Sequence, residues 1–214
     1  FIGAALVTTF IFALARKGGS ISVATLILAG VAVNAVTQAF IGAMIFISDD
    51  EQLRSLNFWL LGALGGANWP LVLICCTVTF ATSLTLLSYS RALDLFQIGE
   101  RAAFHAGLDV ERAKLRLGIL TALSVGTVTA AAGPIGFIGL VAPHMARLIL
   151  GPGHRWVLPG AALIGVALVL AADLGVRLAV PPAEPPIGIA TSLIGGPFFL
   201  WLLITRMARG PLRA

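Results

Sequence analysis

The run ISVATLILAGVAVNAVTQAFIGAMIFI, residues 21–47, contains no Asp, Glu, Lys or Arg. As an α-helix rising 1.5 Å per residue it extends about 40 Å, more than the roughly 30 Å of a bilayer's hydrocarbon core. Hydrocarbon offers no water to bond an exposed amide or carbonyl, so only helices and closed barrels cross it. The run lacks the ten-residue apolar/polar alternation of a barrel strand. It reads as a transmembrane helix.

Six further apolar segments flank it: Phe1–Ala15, Pro70–Ser88, Leu115–Ala132, Ile135–Leu150, Val157–Val176 and Ile187–Thr205. The expected fold is therefore all-α, a polytopic bundle of about seven spans forming a single transmembrane domain over positions 1–214. Gly133-Pro134 separates two spans, and Pro181, Pro182, Pro185 and Pro186 fill a connection. Of the 214 residues 58% are hydrophobic and 11% charged, with a mean hydropathy of +1.00. A soluble domain carries about 25% charged residues. Abundant glycine (24 residues) suits helices packed closely through small side chains. The first segment reaches only about 22 Å as a helix, and the sequence starts inside it without a Met. No basic stretch precedes it and no cleavage-like site follows, which disfavours a signal peptide. The chain is expected to lack its N-terminal part. Adjacent Cys75 and Cys76 suit no structural disulfide and read as buried apolar fillers.

The net charge of +5 invites a nucleic-acid reading, which the placement of the charges removes. With alternating span ends, one side collects Arg16, Lys17, Arg91, Arg101, Arg112, Lys114, Arg116, Arg147, Arg155, Arg206, Arg209 and Arg213. That is 12 of the 14 basic residues, leaving Arg54 and Arg177 opposite. The positive-inside rule makes the crowded side cytoplasmic, with the C-terminus on it. The loop of Asp49, Asp50 and Glu51 and the proline-rich loop with Glu184 then lie outside. Ile135–Leu150, interrupted by His144 and Arg147, is the weakest span, and the charge rule favours its crossing.

The longest cytoplasmic connection, positions 92–114, reads as two short helices. The first runs from about Glu100 to Ala106 and is stopped by Gly107. Asp109 can cap the second, with Glu111 in its first turn, and this helix continues into the next span. Such a knob offers a grip to a cytosolic partner, although an ordinary helix-ended loop has the same spacing. The only lysines, Lys17 and Lys114, stand in no P-loop.

Asn34, Thr37 and Gln38 fall at i, i+3 and i+4, on one face of the second span. Polar groups facing lipid are costly, so this face looks at protein or water; interhelical hydrogen bonding and the lining of a pathway both fit. Asp173 is the acidic residue well inside a span. A proton relay is one reading, and an ion pair with Arg177 four residues later is the other. His105, His144 and His154 lie near the cytoplasmic side without a second ligand at useful spacing, so a structural role is expected of them.

Several stretches carry a family resemblance. Leu95–Gly107, with Gly99-Glu100-Arg101-Ala102-Ala103 and then Gly107, resembles the coupling loop of ABC importer permeases. Gly133-Pro134-Ile135-Gly136-Phe137-Ile138-Gly139-Leu140-Val141-Ala142-Pro143-His144-Met145-Ala146-Arg147 resembles a signature of the iron-chelate, haem and cobalamin permease family. Asp173-Leu174-Gly175-Val176-Arg177, the stretch Pro182–Gly188 and Ile194-Gly195-Gly196-Pro197-Phe198-Phe199 follow in family order. Members have ten transmembrane helices and work in the bacterial inner membrane as homodimers with two ATPase subunits, taking cargo from a substrate-binding protein.

The resemblance implies a permease rather than an enzyme, with no cofactor or metal of its own. It places Gly99, Glu100, Arg101, Ala102, Ala103 and Gly107 in the ATPase cleft. It sets the helix of Asn34, Thr37 and Gln38 beside the translocation route, with the preceding Gly18–Ser22 loop near the cytoplasmic gate. Arg177 would meet an acidic residue of the binding protein. The segment Asp49–Trp69, with Phe58, Trp59 and Trp69, is most similar to haem-importing members. Those aromatics equally suit an interfacial belt. Ferric siderophore and cobalamin follow haem as expected cargoes. An ion-coupled transporter using Asp173 and a non-transporting scaffold are the competing classes.

Overall fold

Among the described residues the chain is carried by ten helices: α1 (Ile2–Ala15), α2 (Val23–Ile47), α3 (Asp50–Leu60), α4 (Trp69–Ser88), α5 (Ser90–Ile98), α6 (Glu100–His105), α7 (Val110–Ala132), α8 (Ile138–Leu150), α9 (His154–Ala179) and α10 (Ile187–Ala208). They come from a computed structural model that describes residues 2–17, 20–21, 23–179 and 186–208. Pro181, Pro182, Glu184 and Pro185 of the proline-rich connection lie outside the described residues. So do Gly18, Gly19, Ser22 and the C-terminal Arg209 and Arg213. Two short strands, β1 (Arg16–Lys17) and β2 (Ser20–Ile21), pair antiparallel, with Arg16 opposite Ile21. The fold is otherwise helical, as the apolar runs require.

Among the described residues four helices, α2, α4, α7 and α9, are long and apolar enough to cross a membrane. The chain is a multi-pass membrane protein. α1 and α8 are apolar but shorter, at 14 and 13 residues. The start of the expected span Ile135–Leu150 moves to Ile138. Residues 133–137 form an irregular connection, so α8 starts at Ile138 and reaches only about 20 Å. Two helices lie where the sequence predicts none: α3, within the segment Asp49–Trp69 expected outside, and α5, at the start of the 92–114 knob.

The first of two structural units comprises residues 1–57 and 67–131. Within it α4 starts at an Asn68 cap, whose Oδ1 accepts the Leu71 amide at 3.0 Å, with Pro70 in the first turn. Its side chains then meet α7 through hydroxyls. Thr82 and Ser124 are hydrogen-bonded to each other, and Cys75 Sγ lies 3.9 Å from the Thr127 carbonyl. Thr82 and Thr127 are buried, and each also bonds back to the carbonyl four residues earlier. A hydroxyl that satisfies itself on its own helix can sit in an apolar layer at small cost. The expectation that both cysteines are buried fails at Cys76, which is exposed, while Cys75 is half-buried. α2 has no buried residue within the described chain.

The second unit comprises residues 58–66 and 132–214. α8 and α9 form its principal pair. They approach through small residues: Ala142 and Ala146 are buried on α8, and Gly160 on α9 lies against Leu150 and Ala146. Lipid supplies no hydrophobic drive between helices, so close van der Waals contact of this kind holds them.

Backbone hydrogen bonds tie three chain segments together at the other end of this unit. The Gly62 and Leu61 carbonyls accept the Ile187 and Gly188 amides, each at 2.9 Å, capping the start of α10. The Ala63 amide in turn donates to the Ala132 carbonyl at 2.9 Å. Orphan amides at a helix start are thereby paired with main chain rather than with a side chain. The junction leaves no room at Gly188, where an added Cβ would stand 2.1 Å from the Leu61 carbonyl oxygen. Gly188→Ala is expected to cost about 1–3 kcal/mol through overpacking. Gly175→Ala, at a helix position with nothing within 4 Å, should be neutral or slightly stabilising. Thermal unfolding of both variants in detergent, compared with the parent, checks this.

Candidate functional site

The knob between α4 and α7 is built by main-chain geometry. α4 ends at Ser88, Tyr89 makes the turn, and α5 runs to Ile98. Gly99 separates α5 from α6 with φ +117°. α6 is closed by a Schellman motif at Gly107. The Gly107 amide donates to Phe104 O at 2.9 Å and the Leu108 amide to Ala103 O at 3.1 Å. Gly107 has φ +86°, a conformation that costs an L side chain roughly 1–2 kcal/mol. Asp109 then caps α7, its Oδ1 accepting the Arg112 amide at 3.1 Å. The Gly107 stop and the Asp109 cap lie where the sequence placed them.

Side chains divide the knob into an inside and an outside. Ala92, Ala103, Val110 and Ala113 are buried. Arg101, Ala102 and His105 are exposed, as are the large apolar Ile98 and Phe104, at 74% and 67%. Phe104 and His105 meet edge to face, with ring centroids 5.9 Å apart. An open cleft of about 780 Å³ follows the turn from α6 to α7, bordered by Arg101, His105, Leu108 and Glu111. Lys114 Nζ lies 2.7 Å from Glu100 Oε2 and 3.8 Å from Glu111 Oε1. Arg116 donates to the Tyr89 hydroxyl at 3.1 Å. Arg112 and Asp109 form an exposed pair at 3.0 Å, of the kind that contributes little.

The structure thus brings Gly99, Glu100, Arg101, Ala102, Ala103 and Gly107 into one knob. Ala103 is fully buried beneath it rather than on its surface. Lys114 and Tyr89 were missed as parts of it. Lys114 is one of two lysines in the sequence, but nothing in its spacing announced a partner 14 residues upstream.

Asn34, Thr37 and Gln38 lie on α2, all three exposed in the described chain. Thr37 Oγ1 bonds back to the Val33 carbonyl at 2.9 Å. On α9, Arg177 Nε stands 2.9 Å from Asp173 Oδ2, the ion pair expected from their four-residue spacing. The Arg177 side chain is 45% exposed and that of Asp173 24%. His154 is buried at the start of α9, whereas His105 is on the knob surface. Among the described residues no three or more His, Cys, Asp or Glu side chains gather as a metal site would require. Phe58, Trp59 and Trp69 are exposed around the end of α3 and the start of α4.

Residues 1–205 match the model of the FecCD transport family. The hemin transport system permease protein of Yersinia pestis is 47% identical over 204 residues, 95% of this chain and 61% of that protein. The cobalamin import system permease protein of Halobacterium salinarum is 39% identical over 209 residues, covering 98% and 56%. This chain therefore spans about three fifths of the length of the curated relatives it matches. Among solved structures, a chain assigned to the metal-chelate type of ABC transporter, in an inward-facing conformation, superposes with a TM-score of 0.84. It is 32% identical, and the match covers 94% of this chain and 63% of that one. On the family model and on these relatives alike, the chain belongs to the FecCD transport family.

Proposed function

We propose that this chain forms the permease of an ATP-binding-cassette importer that carries haem, or a related iron chelate, across a bacterial inner membrane. It works as a homodimer with two cytoplasmic ATPase subunits and an external substrate-binding protein. The C-terminus and the 92–114 knob face the cytoplasm. The observation that carries the reading is the knob itself. α6 is bounded by two glycines at positive φ, Gly99 and Gly107, and presents Arg101, Phe104 and His105 outward. A rigid protrusion with an exposed apolar and cationic surface suits transmission of force from a partner that closes around it. The charge asymmetry supports the orientation, since 12 of 14 basic residues fall on the knob's side of the predicted topology.

The chemistry left to the permease is passage and gating, with hydrolysis performed by the partner. Asn34, Thr37 and Gln38 form a polar face on a helix that buries nothing within the described chain. That suits a lining which must let a large chelate pass without holding it. Arg177 pairs with Asp173 and its side chain is 45% exposed, which suits a guanidinium that meets a carboxylate of the binding protein. The Asp173–Arg177 pair also favours a structural role for Asp173 over proton coupling. Haem leads the cargo classes because the hemin permease of Yersinia pestis shares 47% identity against 39% for the archaeal cobalamin permease.

The test uses the full-length subunit with its ATPase and binding protein in proteoliposomes. Haem is expected to raise ATP hydrolysis above the rates seen with a ferric siderophore or cobalamin; stimulation by cobalamin alone would move the cargo assignment, and stimulation by none would refute the reading. Replacing both Asn34 and Gln38 by Phe should lower haem uptake by about tenfold while the complex still assembles, which co-purification measures. Gly107→Ala should open the Schellman turn at roughly 1–2 kcal/mol, with lower uptake per assembled complex and faster amide exchange across α6.

A further inference from the structure

We infer that Lys114 is a positioning residue for energy coupling: its ion pair with Glu100 is the strut that fixes the knob to the root of α7. The inference rests on the reading of this chain as an ATP-driven permease and deepens it at the same site. Three observations carry it. The Lys114 side chain is only 9% exposed, against 49% for Glu100. An ammonium so nearly out of water is tolerated only when paired. Of the carboxylates Glu100 and Glu111, the nearer is Glu100, with Oε2 at 2.7 Å, while Glu111, one turn away on the same helix, stands at 3.8 Å. The stronger contact therefore crosses between helices, from the first residue of α6 to the body of α7.

A second crossbar lies beside the first. Arg116, two residues beyond Lys114, reaches the hydroxyl of Tyr89 at the start of α5. The α4–α5 turn and α6 are thus both tied by side chains to one stretch of α7, Lys114–Arg116. Force applied to the outer surface of α6 would reach α7 through these ties rather than being lost in a bending loop. α7 continues without interruption for 23 residues, about 34 Å.

This changes the role of Glu100. Its Oε2 is engaged by Lys114, and the exposed Ile98, Arg101, Phe104 and His105 offer the apolar and cationic surface for a partner to contact. Glu100 and Lys114 set the angle at which that surface is offered.

The test measures cargo transported per ATP hydrolysed by the full-length subunit with its ATPase and binding protein in proteoliposomes, alongside co-purification of the ATPase. Lys114→Met keeps the length and removes the charge. It is expected to lower the transport-to-hydrolysis ratio by about tenfold, with the ATPase still bound. Lys114→Arg should stay within about threefold of the parent, because a guanidinium can keep the bridge. The swapped pair E100K/K114E should recover most of what E100K loses alone, a rescue that a mere packing role would not produce. If K114M fails to accumulate in the membrane, Glu100→Gln carries the same expectation at the half-exposed partner. Unchanged coupling in K114M or E100Q, or no rescue by a swapped pair that folds, would overturn the inference. Parent protein that transports without any ATPase would instead sink the functional reading beneath it.

Discussion

A peptide group inside hydrocarbon has no water to turn to, so each of its donors and acceptors must be answered within the chain. That constraint governs this molecule. Along α2, α4, α7 and α9 the helix itself answers it, at lengths that suit a bilayer. The telling places are the breaks. Where α7 ends and α10 begins, the main chain of residues 61–63 supplies the missing partners, accepting from Ile187 and Gly188 and donating to Ala132. Several hydroxyls follow the same logic, although the buried Thr79 hydroxyl finds no partner among the described residues. Thr37, Thr77, Thr85 and Thr127 each bond back to the carbonyl four residues earlier. A helix so arranged carries polar side chains through an apolar layer without calling on a neighbour.

The knob obeys a different balance, because it is read as standing in water. Short helices there gain little from propensity alone and depend on caps and tertiary ties. α6 has six residues, a Schellman stop and a strong cross-helix ion pair. Those features keep Phe104 and Ile98 on the surface, where large apolar side chains are otherwise a liability. Grouped exposed apolar residues flanked by charge mark a contact surface. The apolar surfaces of α2 and α4 are exposed for another reason, since lipid and further helices are the natural cover of a transmembrane segment.

Much of this was legible in the sequence because membrane solvation leaves a coarse, long-range signature. Apolar runs of about twenty residues marked the helices. Gly107 and Asp109 announced a stop and a start through residue types whose local geometry is nearly obligatory. Arg177 announced its partner through a four-residue spacing. What the sequence hid has no such local cause. α3 mixes acidic, polar and aromatic residues, and its helical pattern rests on half-buried Leu53, Leu56 and Leu60, a period easily lost among aromatics assigned to an interface. The shortened α8 starts after Phe137, a non-glycine residue at φ +65°, a backbone turn that hydropathy does not see. The Lys114–Glu100 pair is a tertiary contact between two helices, set by how the turn folds back. The exposure of Cys76 likewise depends on which face α4 presents.

As a proposed permease, this bundle of helices would pass cargo only when an external ATPase grips the knob. The most direct measurement is accumulation of haem in sealed proteoliposomes holding the full-length subunit, compared across two energy sources. With the ATPase present on the knob's side, ATP should drive accumulation and a proton or sodium gradient alone should drive none. Uptake powered by an ion gradient in liposomes that contain no ATPase would contradict it.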